Sequence, residues 1–248
     1  MALGIGYNIK KVEELMGEMA TAYKDYGSFI NQQWAQVQNT LRTNWIGEDE
    51  LDYEKRLVER LCNLYANSYE LAKTSIDVLA DLAKAWYDFQ KNNSITGEAI
   101  ANVGNFSITK PTITKNEKII EFVTKTIGPE EDRGLKDASS ATTIQESLSS
   151  FVKGLKMMAS QKFNLSNSSN AAFFGEQASA ITKYVNKVGI AIGEVNIAIN
   201  DMYTAIATLA GSQYTTSSST AADAAAGFST QLDGSLAEMD KGTRWTQE

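Results

Sequence analysis

Clusters of carboxylate side chains are the first candidates for chemistry in this chain. Two close carboxyl groups can work as general acid and base, and several can hold a metal ion. One cluster comprises Glu48, Asp49, Glu50 and Asp52, immediately before a long helical pattern. There it complements the positive end of the helix dipole, by roughly 0.3–1 kcal/mol per group. The acidic run 130–132 lacks the alternating ligand spacing of a calcium loop. We interpret both clusters as structural.

The residue types that most enzymes need are missing from the sequence. It contains no histidine, which excludes Ser-His-Asp and Cys-His nucleophiles and His-based zinc sites. It also contains no GxxxxGK[ST] or GxGxxG phosphate-binding motif. The single cysteine, Cys62, has no partner for an internal disulfide and is interpreted as a small apolar residue in or near a packed helix face. We predict no enzymatic activity, no catalytic residues, no metal ligands and no cofactor.

Charge and hydropathy narrow the classes of partner. The formal net charge is −7, whereas a nucleic-acid-binding face must be basic. An anionic membrane surface is disfavoured for the same reason. The N-terminus has no basic n-region followed by an apolar run, and the chain has no apolar stretch of ~18 residues. We expect protein partners, no nucleic acid and no conventional membrane-spanning helix.

Apolar residues at alternating steps of three and four predict four long helices. The stretches run from Ile9 to Val37, Leu57 to Phe89, Ala141 to Met158 and Ala178 to Leu209. Only two prolines occur in 248 residues, which agrees with an all-α protein. Each helix has an apolar stripe that needs a partner stripe. We therefore predict two long antiparallel helical hairpins forming an elongated bundle.

Aromatic residues stand next to glycine at both predicted bends. Trp45-Ile46-Gly47 lies between the first two helices, and Phe173-Phe174-Gly175 precedes the fourth. Trp45 has two interpretations: a ring that caps the helical core, or an exposed aromatic anchor for a partner. In the first interpretation Gly47 permits a turn that few other residues tolerate. Trp245, in a polar tail, is interpreted as a docking contact.

The predicted organisation has four parts. A first hairpin covers 1–93, an insertion covers 94–134, a second hairpin covers 135–211, and a linker and tail cover 212–248. Within the insertion, 94–114 is predicted to be a β-hairpin or extended chain, and a short helix is predicted from Thr114 to Ile127. Thr143 and Glu146 are predicted to cap the third helix. The two hairpins are predicted to pack together as a fused pseudo-dimer.

Trp45 and Gly47 between two long helices resemble the WXG family, the helical hairpins of the early-secreted-antigen type exported by type VII secretion systems. Tyr53 stands where family members often carry an aromatic at the start of the second helix. The resemblance covers roughly residues 5 to 92, and the chain then looks like a degenerate tandem pair. It lacks the family's Tyr-x-x-x-Asp/Glu export signal, since none of its ten tyrosines is followed by an acid four residues on.

The resemblance implies a bacterial interaction protein that works by helix–helix association with itself or with a second WXG-like protein. It also implies secretion without a cleavable signal peptide; otherwise the protein is cytoplasmic or part of an assembled particle. One alternative is an α-helical pore-forming toxin component, with 94–114 or Val188–Ile199 entering a membrane in a rearranged state. The other is a structural subunit of a larger assembly. Dye release from liposomes separates the toxin from the scaffold.

Overall fold

The computed structural model describes residues 9–92, 106–126, 134–137, 139–163 and 178–210. These ranges contain four helices and two short strands. The helices are α1 (Ile9–Asn44), α2 (Glu48–Asn92), α3 (Ser140–Lys162) and α4 (Ala178–Ala210), and the strands are β1 (Trp45–Ile46) and β2 (Gly134–Leu135). The prediction of an all-α helical bundle is confirmed.

α1 and α2 form an antiparallel hairpin because each carries one continuous apolar stripe. The 36 residues of α1 and the 45 residues of α2 extend over about 54 and 68 Å at 1.5 Å per residue. Arg42 pairs with Glu54 near the bend, and Tyr23 stacks on Tyr65 further along the arms. The stripes meet in a core that includes fully buried Tyr26, Ile30, Leu57, Leu61 and Leu64.

The second hairpin packs against the first, and all four helices share one apolar core. α3 lies along α1, where the Tyr26 hydroxyl donates to the Leu155 carbonyl at 3.5 Å. α4 lies along α2, where Arg60 donates to the Glu194 carbonyl at 3.3 Å. Contacts between α3 and α4 are the sparsest of the four neighbouring pairs. Because two faces of α1 are covered, Trp34 is buried although it lies off the main stripe.

An extended segment, residues 106–126, runs along the α1–α2 hairpin; we name it the strap. It contains neither helix nor strand, so extended chain is the correct alternative for the described part of 94–114. Phe106 contacts Tyr87 near the end of α2, with ring centroids 5.2 Å apart. At the other end, the Val123 carbonyl accepts a hydrogen bond from Arg42. The strap therefore spans the hairpin from its open end towards its bend.

The short helix predicted from Thr114 to Ile127 is wrong over 114–126. The Tyr23 hydroxyl accepts from the Asn116 amide and donates to the Thr114 carbonyl, which in a helix would accept from the Lys118 amide. The Asn116 side chain accepts from the Lys118 amide in an Asx turn, which competes with helix formation. Ile120 is buried in the core and holds the chain extended beyond that turn.

The cap predicted at Thr143 and Glu146 is also wrong. α3 begins at Ser140, and its first donors are satisfied by Asp137, whose Oδ1 accepts from the Ser139 and Ser140 amides at 2.9 Å each. The same oxygen accepts from both serine hydroxyls. These hydrogen bonds hold the pKa of Asp137 below its usual value. The capping group therefore lies several residues before the position that the pattern indicates.

Candidate interaction site at the hairpin bend

The bend of the first hairpin is built on one glycine with an unusual backbone angle. Gly47 has φ of 137°, a conformation that side chains with a Cβ adopt only under strain. It separates the last residues of β1 from Glu48, where α2 begins. A short antiparallel bend between two long helices therefore depends on glycine at this position.

Trp45 points into the molecule rather than away from it. Its side chain is only 6% exposed and belongs to the shared core. Its ring lies 5.8 Å from that of Tyr53, which is also buried, at an interplanar angle of 34°. In this conformation Trp45 closes the end of the core, and it is not exposed as an anchor for a partner.

Backbone pairing ties the bend to the second half of the chain. Trp45 pairs with Leu135 and Ile46 with Gly134 in an antiparallel two-stranded sheet. The Lys136 amide extends the pairing by donating to the Asn44 carbonyl at 3.0 Å. Because α3 begins shortly after β2, this sheet fixes where the second hairpin starts relative to the first.

A buried carboxyl pair lies beside the bend, on the first two turns of α2. Glu50 is 3% exposed and Glu54 is fully buried. Arg42 of α1 binds Glu54 with two parallel hydrogen bonds, Nε to Oε2 at 2.8 Å and Nη2 to Oε1 at 2.7 Å. The Gln38 amide also donates to Glu54. Glu54 is therefore well satisfied, whereas Glu50 Oε1 has no hydrogen-bond partner.

The environment of Glu50 favours its neutral form. Burial raises the pKa of Glu50 to about 8, and the hydrogen bond and negative charge of Glu54 add to this effect. Arg42 and Lys125 act in the opposite direction but do not outweigh burial. Near neutral pH the pair therefore carries one proton and one negative charge, and the charge is matched by Arg42.

The chemistry open to this pair is the uptake and release of a proton. Bound Arg42 already neutralises the negative charge, so a cation gains little by entering. Over the described part of the chain, no group of three or more His, Cys, Asp and Glu side chains is placed to hold a metal ion. The site binds the strap instead, because Arg42 Nη2 also donates to the Val123 carbonyl at 2.7 Å.

Two large aliphatic side chains of α4 face solvent. Ile190 is 62% exposed and Ile197 is 55% exposed. They are seven residues apart, so they lie on one face of the helix. Between them is Gly193, where an added Cβ would meet no atom within 4 Å. We name Ile190, Gly193 and Ile197 the α4 ridge.

The structure brings together Trp45, Ile46, Gly47 and Tyr53, four of the residues singled out from the sequence. Phe173, Phe174, Gly175 and Trp245 lie outside the described residues. Glu54, Arg42 and Gln38 were not singled out, although the sequence held a signal. Positions 50, 54, 57 and 61 lie on one helix face, so two glutamates extend the buried stripe of Leu57 and Leu61.

The fold and the bend define a helical-bundle protein built from paired hairpins. Comparison of the chain with protein-family models, with curated proteins and with solved structures finds no match. Among the described helices, none is long and apolar enough to cross a membrane.

Proposed function

We propose that this chain is a non-enzymatic interaction protein of the WXG type, which acts by helix–helix association. The observation that carries the proposal is the bend, where Gly47 at φ 137° joins two long antiparallel helices and Trp45 closes the end of their core. Trp45 and Gly47 are also the two residues on which the resemblance to the WXG family rests. The family resemblance further suggests export by a signal-less route, a point that rests on sequence alone.

Packing within the chain supports a pair of hairpins rather than one. WXG-type hairpins associate by burying apolar stripes, and here α3 and α4 cover the stripes of α1 and α2 in one core. The need for a partner is thereby partly met inside the chain. Association with another molecule then has to use a face that remains outside this core.

The α4 ridge is the face that we assign to this association. Burial of the two aliphatic side chains of the ridge contributes about 25 cal/mol per Å² of apolar surface. Lys187 is exposed beside the ridge and Glu194 is partly exposed, so the surroundings carry both signs of charge. Such a surface fits the apolar face of another amphipathic helix, from a second copy of this chain or from a second WXG-like protein.

Sedimentation velocity of the full chain over a concentration series tests this proposal. We expect association, alone or after mixing with a second WXG-like protein, and loss of that association in the double variant Ile190→Glu/Ile197→Glu. Met157→Glu is the matched control, because Met157 is 51% exposed on α3 and lies outside the ridge. A chain that remains monomeric and ignores such hairpin proteins contradicts the proposal, and so does equal weakening by the control.

A further inference from the structure

The buried carboxyl pair lies where the strap meets the hairpin. The guanidinium of Arg42 contacts both the pair and the strap. Arg42 Nη2 donates to Glu54 Oε1 and to the Val123 carbonyl, both at 2.7 Å. The position of the strap end and the charge state of the pair are therefore linked through a single nitrogen. This arrangement goes beyond helix association and does not depend on the identity of any partner.

We propose that Glu50 and Glu54 form a proton-controlled latch for the strap. When the pair carries one proton, the strap end (residues 118–126) is closed over the α1–α2 hairpin. Loss of that proton releases the strap end.

The charges around Glu50 determine that the protonated pair favours the closed strap. The charged groups that act on Glu50 are Glu54 on its own helix, Arg42 on α1 and Lys125 on the strap. Lys125 is exposed, so water screens its charge, and Arg42 is already committed to Glu54. A second carboxylate in this site would therefore leave one buried negative charge without a matching cation, which is costly until water reaches it.

Water reaches the pair most easily from the side of the strap. Glu50 and Glu54 are held by the backbone ladder of α2, and Arg42 and Gln38 by that of α1. The strap has no such ladder over 118–126. Its attachments there include the Arg42–Val123 hydrogen bond, buried Ile120, the partly buried Ile119 and Phe122 against the core, and the Cys62 thiol, which donates to the Ile120 carbonyl at 3.8 Å. These are side-chain contacts and single hydrogen bonds with no backbone ladder, so this end can open without unfolding of the helices, as expected of a segment of lower local stability.

Protonation of Glu50 explains why its Oε1 has no hydrogen-bond partner. In a permanently charged site, both oxygens of a buried carboxylate would be expected to accept hydrogen bonds. Glu54 meets that expectation and Glu50 does not. Geometry and the raised pKa of about 8 for Glu50 therefore agree on which carboxyl keeps the proton.

Hydrogen exchange of the full chain, measured by mass spectrometry between pH 6.5 and 9.5, tests the latch. Rates are corrected for the intrinsic effect of pH, and α3 peptides serve as the internal reference. We expect protection of 118–126 to fall about tenfold as the pH rises to about 8, the change that one unit of pKa shift corresponds to, and to level off above it. Glu50→Gln, which keeps the shape but cannot ionise, should abolish the change. Asp77→Asn, at the other end of the strap, should leave it intact.

Two outcomes overturn the proposal. One is a wild-type strap end whose corrected protection does not depend on pH, and the other is an equal dependence in Glu50→Gln. If Glu50→Gln does not fold, a carbon-detected NMR titration of the wild-type glutamate carboxyl groups replaces it. The latch requires one carboxyl that titrates above pH 7, and a set that titrates entirely between 3 and 6 contradicts it.

Discussion

The strap is fastened to the hairpin by charged groups near both ends, but the two attachments stand in different surroundings. Near the open end, Lys110 pairs with Asp77 at 3.0 Å, and both side chains are about 40–50% exposed. Near the bend, Arg42 connects Val123 to a carboxyl pair that is almost completely buried. The same types of group therefore experience water at one end and the protein interior at the other.

The two ends show opposite pKa shifts for their carboxyl groups. Burial alone would raise the pKa of Asp77, but hydrogen bonds from Lys73 and Lys110 outweigh it and the pKa is lowered. Burial dominates at Glu50, where the nearest hydrogen-bonding neighbour is another carboxyl, and the pKa rises to about 8. An ion pair therefore stabilises the strap only weakly in solvent, whereas the buried site is costly to disturb.

Removing the guanidinium at the buried end should have the largest effect. Arg42→Met leaves Glu54 buried without its cation, and we expect a loss of about 3–5 kcal/mol of unfolding free energy in urea titrations. The double variant Arg42→Met/Glu54→Leu removes the charge together with its partner and should recover most of this loss. If Arg42→Met costs no more than Lys110→Met, the two ends do not differ as described.

Gly47 supports the buried end by shaping the bend beside it. Gly47→Val places a β-branched side chain at φ 137°, and we expect a loss of about 1–3 kcal/mol measured by urea denaturation. Gly17→Ala is the matched control, since a Cβ there meets nothing within 4 Å and alanine favours a helix interior. The control should be neutral or stabilising by up to about 1 kcal/mol. Equal stability of both variants would mean that the bend accepts other backbone angles.

These sites differ in how far the sequence reveals them. The helices and the bend follow from local rules, because heptad spacing over long stretches and a glycine between them leave few alternatives. The strap does not follow from such rules: Thr114 begins a plausible capping box, but the distant Tyr23 hydroxyl, the turn at Asn116 and the burial of Ile120 prevent a helix. Glu50 resembles an ordinary first-turn acid, and its burial depends on tertiary packing that heptad spacing does not encode.

The buried pair should also make stability depend on pH. The folded-state pKa of Glu50 is about 8, above the ordinary value of 4.5, so the folded chain holds more protons than the unfolded chain between these values. Stability from this group is therefore fully present below about pH 4.5 and is lost as the pH rises to about 8. Water that enters the opened site stabilises the charged carboxyl and reduces the loss. We therefore expect the free energy of unfolding to fall by on the order of 1 kcal/mol. Urea titrations at pH 6 and pH 9 should show it in the wild type, whereas a fall of the same size in Glu50→Gln would assign it to other groups.

The smallest effect is expected at the exposed end of the strap. Asp77→Asn weakens the ion pairs with Lys73 and Lys110, and because these side chains are in water we expect a loss of about 0–1 kcal/mol at pH 7. The lowered pKa of Asp77 gives this contribution the opposite pH dependence from that of Glu50: it is present above pH 3.8 and is lost as the pH falls through the folded-state pKa.

Asp88→Asn is the matched control, since Asp88 has the same i,i+4 lysine contact, to Lys84. Hydrogen exchange of the strap near Lys110 should accelerate slightly in Asp77→Asn and not in Asp88→Asn. If both variants leave that exchange unchanged, the exposed ion pair contributes nothing to holding the strap, and its attachment near the open end depends on the Phe106–Tyr87 contact, on Ile108 against the core and on the hydrogen bond from the Thr109 amide to Glu13.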